Sequence, residues 1–216
     1  MQDQIYELNS KIDFTLLDAR ATSSDIEKLC DIAYKNQYYS VCVNPAFVKY
    51  TKGYILKNLN NKLKVVSVIA FPLGASTIDV KIAEAKQAIE NGADEIDVVV
   101  NIGKVKEGDF SYIKTELLKL RKISKNVVLK IIFETCYLDE NEIIKLCRLC
   151  AKCKVDFVKT STGFGTEGVN EKVVSIMVRE VAGNCLVKAA GGIRSREQAI
   201  KYINMGVSRI GVSKVL

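Results

Sequence analysis

Asp156-Phe157-Val158-Lys159-Thr160-Ser161-Thr162-Gly163-Phe164-Gly165 reads as a buried β-strand running directly into a glycine loop, with a lysine inside the strand. An ammonium taken out of water is costly unless it is paired or gives up its proton. Burial favours the neutral amine, and the neutral amine is the nucleophile. Lys159 is therefore either salt-bridged or built to attack a carbonyl.

Seven other segments share the strand character of this one. They cover residues 12–17, 40–44, 64–71, 95–101, 127–134, 185–190 and 209–213, and most are rich in Val and Ile, as buried parallel strands are. Helical patterns lie between them. Ser24-Asp25-Ile26-Glu27 has the form of a capping box, followed by Leu29, Cys30 and Ala33 at helical spacing. Thr77 is expected to cap a helix through Ile82, Ala85 and Ile89 that ends at Gly92. Further helices fit residues 45–56, 110–124, 139–152, 170–181 and 195–205, the last opened by Ser195 and Gln198 as a second capping box.

Strand starts recur at intervals of about 24 to 32 residues, the length of a βα unit. Eight such units without a Pro/Gly/Ser-rich linker predict a single (β/α)8 barrel domain over residues 1–216. An open, doubly wound sheet is the competing reading, although eight central strands would be unusual in so short a chain. Only Lys214-Val215-Leu216 follow the eighth strand, so the last helix is expected to be short or missing.

The 216 residues are 48% hydrophobic, which fits a globular chain with a sizeable core. No run of 18 apolar residues occurs, and Met1-Gln2-Asp3-Gln4 does not open a signal peptide, so no membrane association and a cytoplasmic location are expected. Seven cysteines, an odd number, then read as free thiols. Cys147, Cys150 and Cys153 are spaced at three residues, but with no fourth ligand in view they are expected to be structural thiols rather than a metal site. The chain has no His, which removes His-based acid–base catalysis and most catalytic zinc sites. Its net charge of +7 suits an anionic small substrate. Lys and Arg are spread along the chain rather than gathered in a patch, so nucleic acid is not an expected partner. Tyr38, Tyr39, Tyr50 and Tyr54 are expected to pack helices or an interface.

Side chains alternate along a strand, and the outer face of a barrel strand packs on helices and should be apolar. The charged parity therefore points inward, gathering Asp97, Lys130, Glu134, Lys159 and Lys188 from four consecutive strands. Such a cluster is either a self-neutralising ion network or an imine-forming site. In the second case a neighbouring lysine and burial both lower the proton affinity of the nucleophilic amine. The segments after the seventh and eighth strands, Gly191-Gly192-Ile193-Arg194 and Gly211-Val212-Ser213, expose backbone N–H groups as phosphate loops do, with a helix starting near Ser195. A simple turn before a capped helix would look the same.

Taken together the chain resembles the deoxyribose-phosphate aldolases. The resemblance is carried by Val41-Cys42-Val43-Asn44-Pro45, Phe71-Pro72-Leu73-Gly74-Ala75-Ser76-Thr77, Gly92-Ala93-Asp94-Glu95-Ile96-Asp97 with Asn101-Ile102-Gly103, the Lys159 stretch, and Lys188-Ala189-Ala190-Gly191-Gly192-Ile193-Arg194. It implies a class I aldolase that cleaves 2-deoxy-D-ribose 5-phosphate reversibly to acetaldehyde and D-glyceraldehyde 3-phosphate in deoxyribose catabolism, without cofactor or metal. By position, Lys159 matches the imine-forming lysine, Lys188 the lysine that lowers its pKa, and Asp97 the carboxylate that relays protons. The iminium is expected to draw electrons from the C3–C4 bond. Gly163, Gly191, Gly192, Gly211 and Ser213 match phosphate-binding positions. Asp13, Thr15, Cys42 and Thr162 join them as expected substrate contacts, and a homodimer is expected because dimers are common in the family. The chain departs from the family at Phe14, at Ala190 and at Lys214, which would add a charge beside the phosphate loop. An aldolase for another phosphosugar, and a barrel that binds phosphosugars without turning them over, are the alternatives.

Overall fold

The computed structural model describes residues 7–216. Eight strands carry the apolar runs: β1 (Ile12–Leu16), β2 (Ser40–Val43), β3 (Lys64–Ile69), β4 (Glu95–Val99), β5 (Val128–Ile132), β6 (Phe157–Lys159), β7 (Leu186–Ala190) and β8 (Arg209–Val212). They pair in parallel in chain order, and β1 pairs with β8 as well as with β2. The sheet thus closes into the barrel that the repeat predicts, and the open-sheet reading is rejected because no strand of the eight is an edge.

The helices are α1 (Ser23–Lys35), α2 (Val48–Asn58), α3 (Ile78–Glu90), α4 (Ile102–Lys106), α5 (Phe110–Ile123), α6 (Glu140–Lys152), α7 (Glu171–Val181) and α8 (Arg196–Asn204). Residues 213–216 follow β8 without a helix. No helix among the described residues is long and apolar enough to cross a membrane.

Strand parity divides the molecule into two environments. Outward residues such as Val41, Ile96, Val98, Leu129, Ile131 and Val187 share one apolar cluster with Ile26, Leu29, Ile113, Leu117, Leu146 and Met177 of the helices. Each such fully buried side chain contributes on the order of 1.5–3 kcal/mol, so this outer layer carries most of the stability. Inside the barrel Cys42, Val66 and Val68 form a small apolar cluster with Leu17 and Phe71 against them, and Val99, Ile132 and Phe157 also face inward. Among them lies a group of charged side chains, with Ser40 donating to Asp13.

Helix ends follow local side-chain chemistry, with three departures from expectation. The box that starts α1 is Thr22 with Asp25, two residues earlier than expected: Thr22 Oγ1 accepts from the Asp25 N–H and the Asp25 carboxylate accepts from the Thr22 N–H. Ser195 does cap α8, but Gln198 Oε1 accepts from the Arg194 N–H at 2.8 Å, so the reciprocal half of that box is absent. The short α4, capped by Asn101, is missing from the sequence reading because five residues give no periodicity to detect.

Cys147 and Cys150 lie on the buried face of α6 with Ile143 and Leu146. Burial pushes the Cys150 thiol up, and pushes that of Cys185, also in the apolar cluster, up to about 12. They pack as small hydrophobes, and no group of three His, Cys, Asp or Glu among the described residues is arranged to hold a metal.

Candidate active site

Inward positions of six strands meet inside the barrel. Across β4 and β5, Asp97 is opposite Lys130. Across β6 and β7, Lys159 is opposite Lys188, and across β7 and β8, Lys188 is opposite Arg209. Asp97 is the hub. Its Oδ1 accepts from Lys130 Nζ at 2.8 Å, and its Oδ2 accepts from Lys159 Nζ at 2.8 Å and from Lys188 Nζ at 2.9 Å.

The remaining pairs close a circuit. Lys130 also pairs with Glu95, and Glu95 Oε2 lies 3.4 Å from Arg209 Nη1. Arg209 Nη1 donates to Asp13 Oδ1 at 2.8 Å, and Asp13 Oδ2 accepts from Lys188. Asp97, Lys130, Glu95, Arg209, Asp13 and Lys188 therefore form a ring of alternating sign, three acids and three bases, that is neutral by itself. Lys159 hangs from Asp97 as a seventh, surplus cation.

The proton affinities follow from this wiring. Burial alone would raise the Asp97 carboxyl, but Lys130, Lys159 and Lys188 together hold it well below the usual carboxylate range. Asp13 is likewise lowered: burial opposes this, and Lys188, Lys130 and Arg209 outweigh it. Burial lowers Lys188, but the two carboxylates it touches raise it above the usual lysine value. Lys159 touches only one carboxylate. Burial, helped by the charge of Lys188, outweighs the pull of Asp97, and the Lys159 amine is lowered.

A cavity of about 640 Å³ opens at the C-terminal ends of the strands. Thr15, Thr162, Gly163, Gly191, Gly192, Gly211 and Ser213 line it, as the sequence reading expects of substrate-facing residues. Of the seven charged groups only Lys159 lines it. Gly191 and Gly192 adopt φ of +94° and +80°, a region that costs other residues strain, and a Cβ on Gly191 would meet the Ser161 Cβ at 3.1 Å. Glycine here brings backbone up to the cavity wall.

Some expected site residues fall elsewhere. Asp13 and Cys42 do not line the cavity. Asp13 is one inward position before Thr15, roughly 6–7 Å deeper along the strand, and belongs to the ring. Cys42 is fully buried beside Val66 and Val68, and burial pushes its thiol up to about 11. Glu134 is not in the charge cluster. β5 ends at Ile132, and Glu134 takes a left-handed φ of 54°, so strand parity no longer directs its side chain. Its carboxylate instead accepts from the Thr162 N–H at 3.2 Å and from the Thr162 hydroxyl, steadying the loop after β6. Lys214 is exposed and does not line the cavity. Phe14 faces outward against Tyr38, with ring centroids 5.5 Å apart, so its departure from the family leaves the interior unchanged. Tyr39 packs on the Arg209 guanidinium, 3.6 Å from ring centroid to Cζ, not on a helix. Phe164, absent from the expected set, lines the cavity and meets Phe71 edge to face at 5.3 Å.

Residues 8–213 match the sequence profile of the DeoC/LacD family aldolases. The chain is 50% identical over 208 residues to a deoxyribose-phosphate aldolase of Finegoldia magna, covering 96% of each chain. It is 48% identical over 209 residues to the deoxyribose-phosphate aldolase of Thermococcus kodakarensis, covering 96% of this chain and 93% of that one. Among solved structures it is similar to the tetrameric deoxyribose phosphate aldolase from Aeropyrum pernix, with TM-score 0.88, 33% identity and coverage of 96% of this chain and 88% of the other.

Proposed function

Because this chain belongs to the DeoC/LacD family of aldolases, we propose that it cleaves 2-deoxy-D-ribose 5-phosphate reversibly to acetaldehyde and D-glyceraldehyde 3-phosphate through an imine on Lys159, as a step of deoxyribose catabolism. One observation carries the choice of lysine: the surplus cation of the interior is also the only one of its seven charges that reaches the cavity.

The neutral Lys159 amine adds to the C1 aldehyde of the open-chain sugar, and loss of water leaves an iminium. Acetaldehyde carries away C1 and C2, so the bond that breaks is C2–C3, not the C3–C4 bond of the sequence reading. The C3 hydroxyl gives up its proton, C3 becomes the aldehyde of glyceraldehyde 3-phosphate, and the C2–C3 electron pair moves into the iminium to give an enamine. Protonation at C2 and hydrolysis then release acetaldehyde and restore the amine.

Asp97, 2.8 Å from Lys159 and buried beneath it, moves protons by way of that amine or of a water admitted beside it. Lys188 keeps its own charge and so favours the neutral form of Lys159. The backbone of Gly191 and Gly192, with Gly163, Gly211 and Ser213, receives the phosphate, and Thr15 and Thr162 face the sugar. The net charge of +7 draws the anionic substrate in.

The test is turnover. The purified protein, given 2-deoxy-D-ribose 5-phosphate, should release acetaldehyde, and a Lys159→Leu variant should not. Preferred turnover of another phosphosugar would reassign the substrate. Thermal stabilisation by the sugar phosphate without turnover would mark a binding barrel.

A further inference from the structure

Arg209 and Glu95 begin β8 and β4, at the end of the barrel away from the cavity, and neither lines the cavity. They are nonetheless the link that closes the charge ring. Arg209 joins Asp13 to Glu95, and Glu95 passes the circuit to Lys130. The cation is held in a built position. The Tyr39 ring lies 3.6 Å from the guanidinium carbon, and the Phe157 ring, one inward position before Lys159, lies 5.4 Å away. Both residues are buried, Glu95 at 1% and Arg209 at 8% exposure, so solvent screens their charges little.

We propose that Arg209 and Glu95 are positioning residues that set the protonation of Lys159 from the far end of the barrel by completing a neutral charge ring. The proposal rests on the imine-forming role of Lys159. With the ring intact, its three positive and three negative members balance, and Lys159 is the one cation without a counter-charge of its own. Removing Arg209 leaves the ring with net charge −1, which holds the proton on Lys159. Removing the charge of Glu95 leaves the ring at +1, which expels it. Removing both restores neutrality. Other neighbours do not blur this logic. β3 sets Val66 and Val68 beside the ring. Lys64 at its start, with Asp94, Arg121, Lys125 and Asp156, lines the same end of the barrel as Glu95. There Lys64 pairs with Asp94 and Arg121 with Asp156, and these charges are the same in every variant. Cys42 and Tyr39 are both pushed up by burial, away from neutral pH.

The experiment labels Lys159 with acetaldehyde and cyanoborohydride across pH 5 to 9, with the adduct quantified by peptide mass spectrometry, in the parent, Arg209→Met, Glu95→Gln and the double variant. A unit charge within a poorly screened interior moves a neighbour's titration by about one pH unit. The half-labelling pH should therefore rise by about one unit in Arg209→Met, fall by about one in Glu95→Gln, and return to the parent value in the double variant. A purely structural role would change the yield of folded protein, checked by circular dichroism, but not produce opposite shifts that cancel. Coincident profiles in the single variants, shifts of the same sign, or a double variant that fails to revert would overturn the proposal. If Arg209→Met does not fold, Glu95→Gln and the double variant still decide it. A parent protein unlabelled at Lys159 would instead overturn the imine reading beneath it.

Discussion

Lys188→Met isolates the electrostatic contribution of the second lysine. Lys159 and Lys188 share Asp97 Oδ2 at 2.8 and 2.9 Å, so their nitrogens are at most 5.7 Å apart, the sum of those distances. Two unit charges about 5 Å apart at an effective dielectric of about 20 repel by roughly 3 kcal/mol, or about two pH units. Methionine keeps most of the stem volume and removes the charge. Asp13 and Asp97 then lose a common partner, which adds to the pull on the Lys159 proton. The acid limb of the kcat/KM profile for sugar-phosphate cleavage should move up by about two pH units, and below both midpoints activity should fall about 100-fold. Raising the pH should recover most of the loss. The assay is coupled detection of acetaldehyde from pH 5 to 10, with circular dichroism to confirm folding. A uniform loss at every pH, with the limb unmoved, would refute the idea that Lys188 works through its charge.

Three further outcomes follow from other parts of the molecule. Lys81 of α3 and Glu116 of α5 form a fully buried pair at 2.8 Å, and Lys81 also donates to the Val99 carbonyl at 2.7 Å. Lys81→Met alone should cost about 3–5 kcal/mol in urea unfolding, and adding Glu116→Leu should recover most of it; a single-variant cost under about 1 kcal/mol would contradict this pairing. Gly168→Ala would place a Cβ 2.3 Å from the Gly191 carbonyl oxygen and push the glycine loop; KM for the phosphorylated sugar should rise several-fold while acetaldehyde still labels Lys159, and an unchanged KM would separate this loop from phosphate binding. The ring also predicts acid lability. Asp13 and Asp97 have lowered proton affinities when folded, so their stabilisation is complete above the unfolded value of about 3.9 and is lost as pH falls through the folded values. Tm should be level above about pH 5 and drop steeply below about pH 4, and a Tm unchanged down to pH 3 would count against the ring.

The barrel was legible because the chain repeats one local pattern, a Val/Ile-rich strand followed by a capped amphipathic helix, and eight such units have few ways to bury their faces. Strand parity also placed Asp97, Lys130, Lys159 and Lys188 together, since each lies within its strand, Lys159 as the last residue of β6, where alternation still holds. The same rule failed at Glu134, two residues past the end of β5, where a left-handed backbone turns the side chain into a loop. It was silent on Arg209 and Asp13 for a different reason. They are 196 residues apart and touch only because β8 closes onto β1, a contact made by topology and not by local sequence. Glu95 shares a face with Asp97, but its partner on β8 becomes visible only after closure. Lys81 and Glu116 were invisible for a third reason: on amphipathic helices they read as surface charges, and only the packing of α3 on α5 buries them.

The central claim is that Lys159 is the activated amine, and trapping it chemically tests this most directly. The protein is incubated with acetaldehyde, reduced with sodium borohydride, and the modified peptide is mapped by mass spectrometry. A single reduced ethyl adduct on Lys159, absent from the surface lysines, is the predicted result. No adduct, or labelling scattered over exposed lysines with Lys159 untouched, would contradict the account.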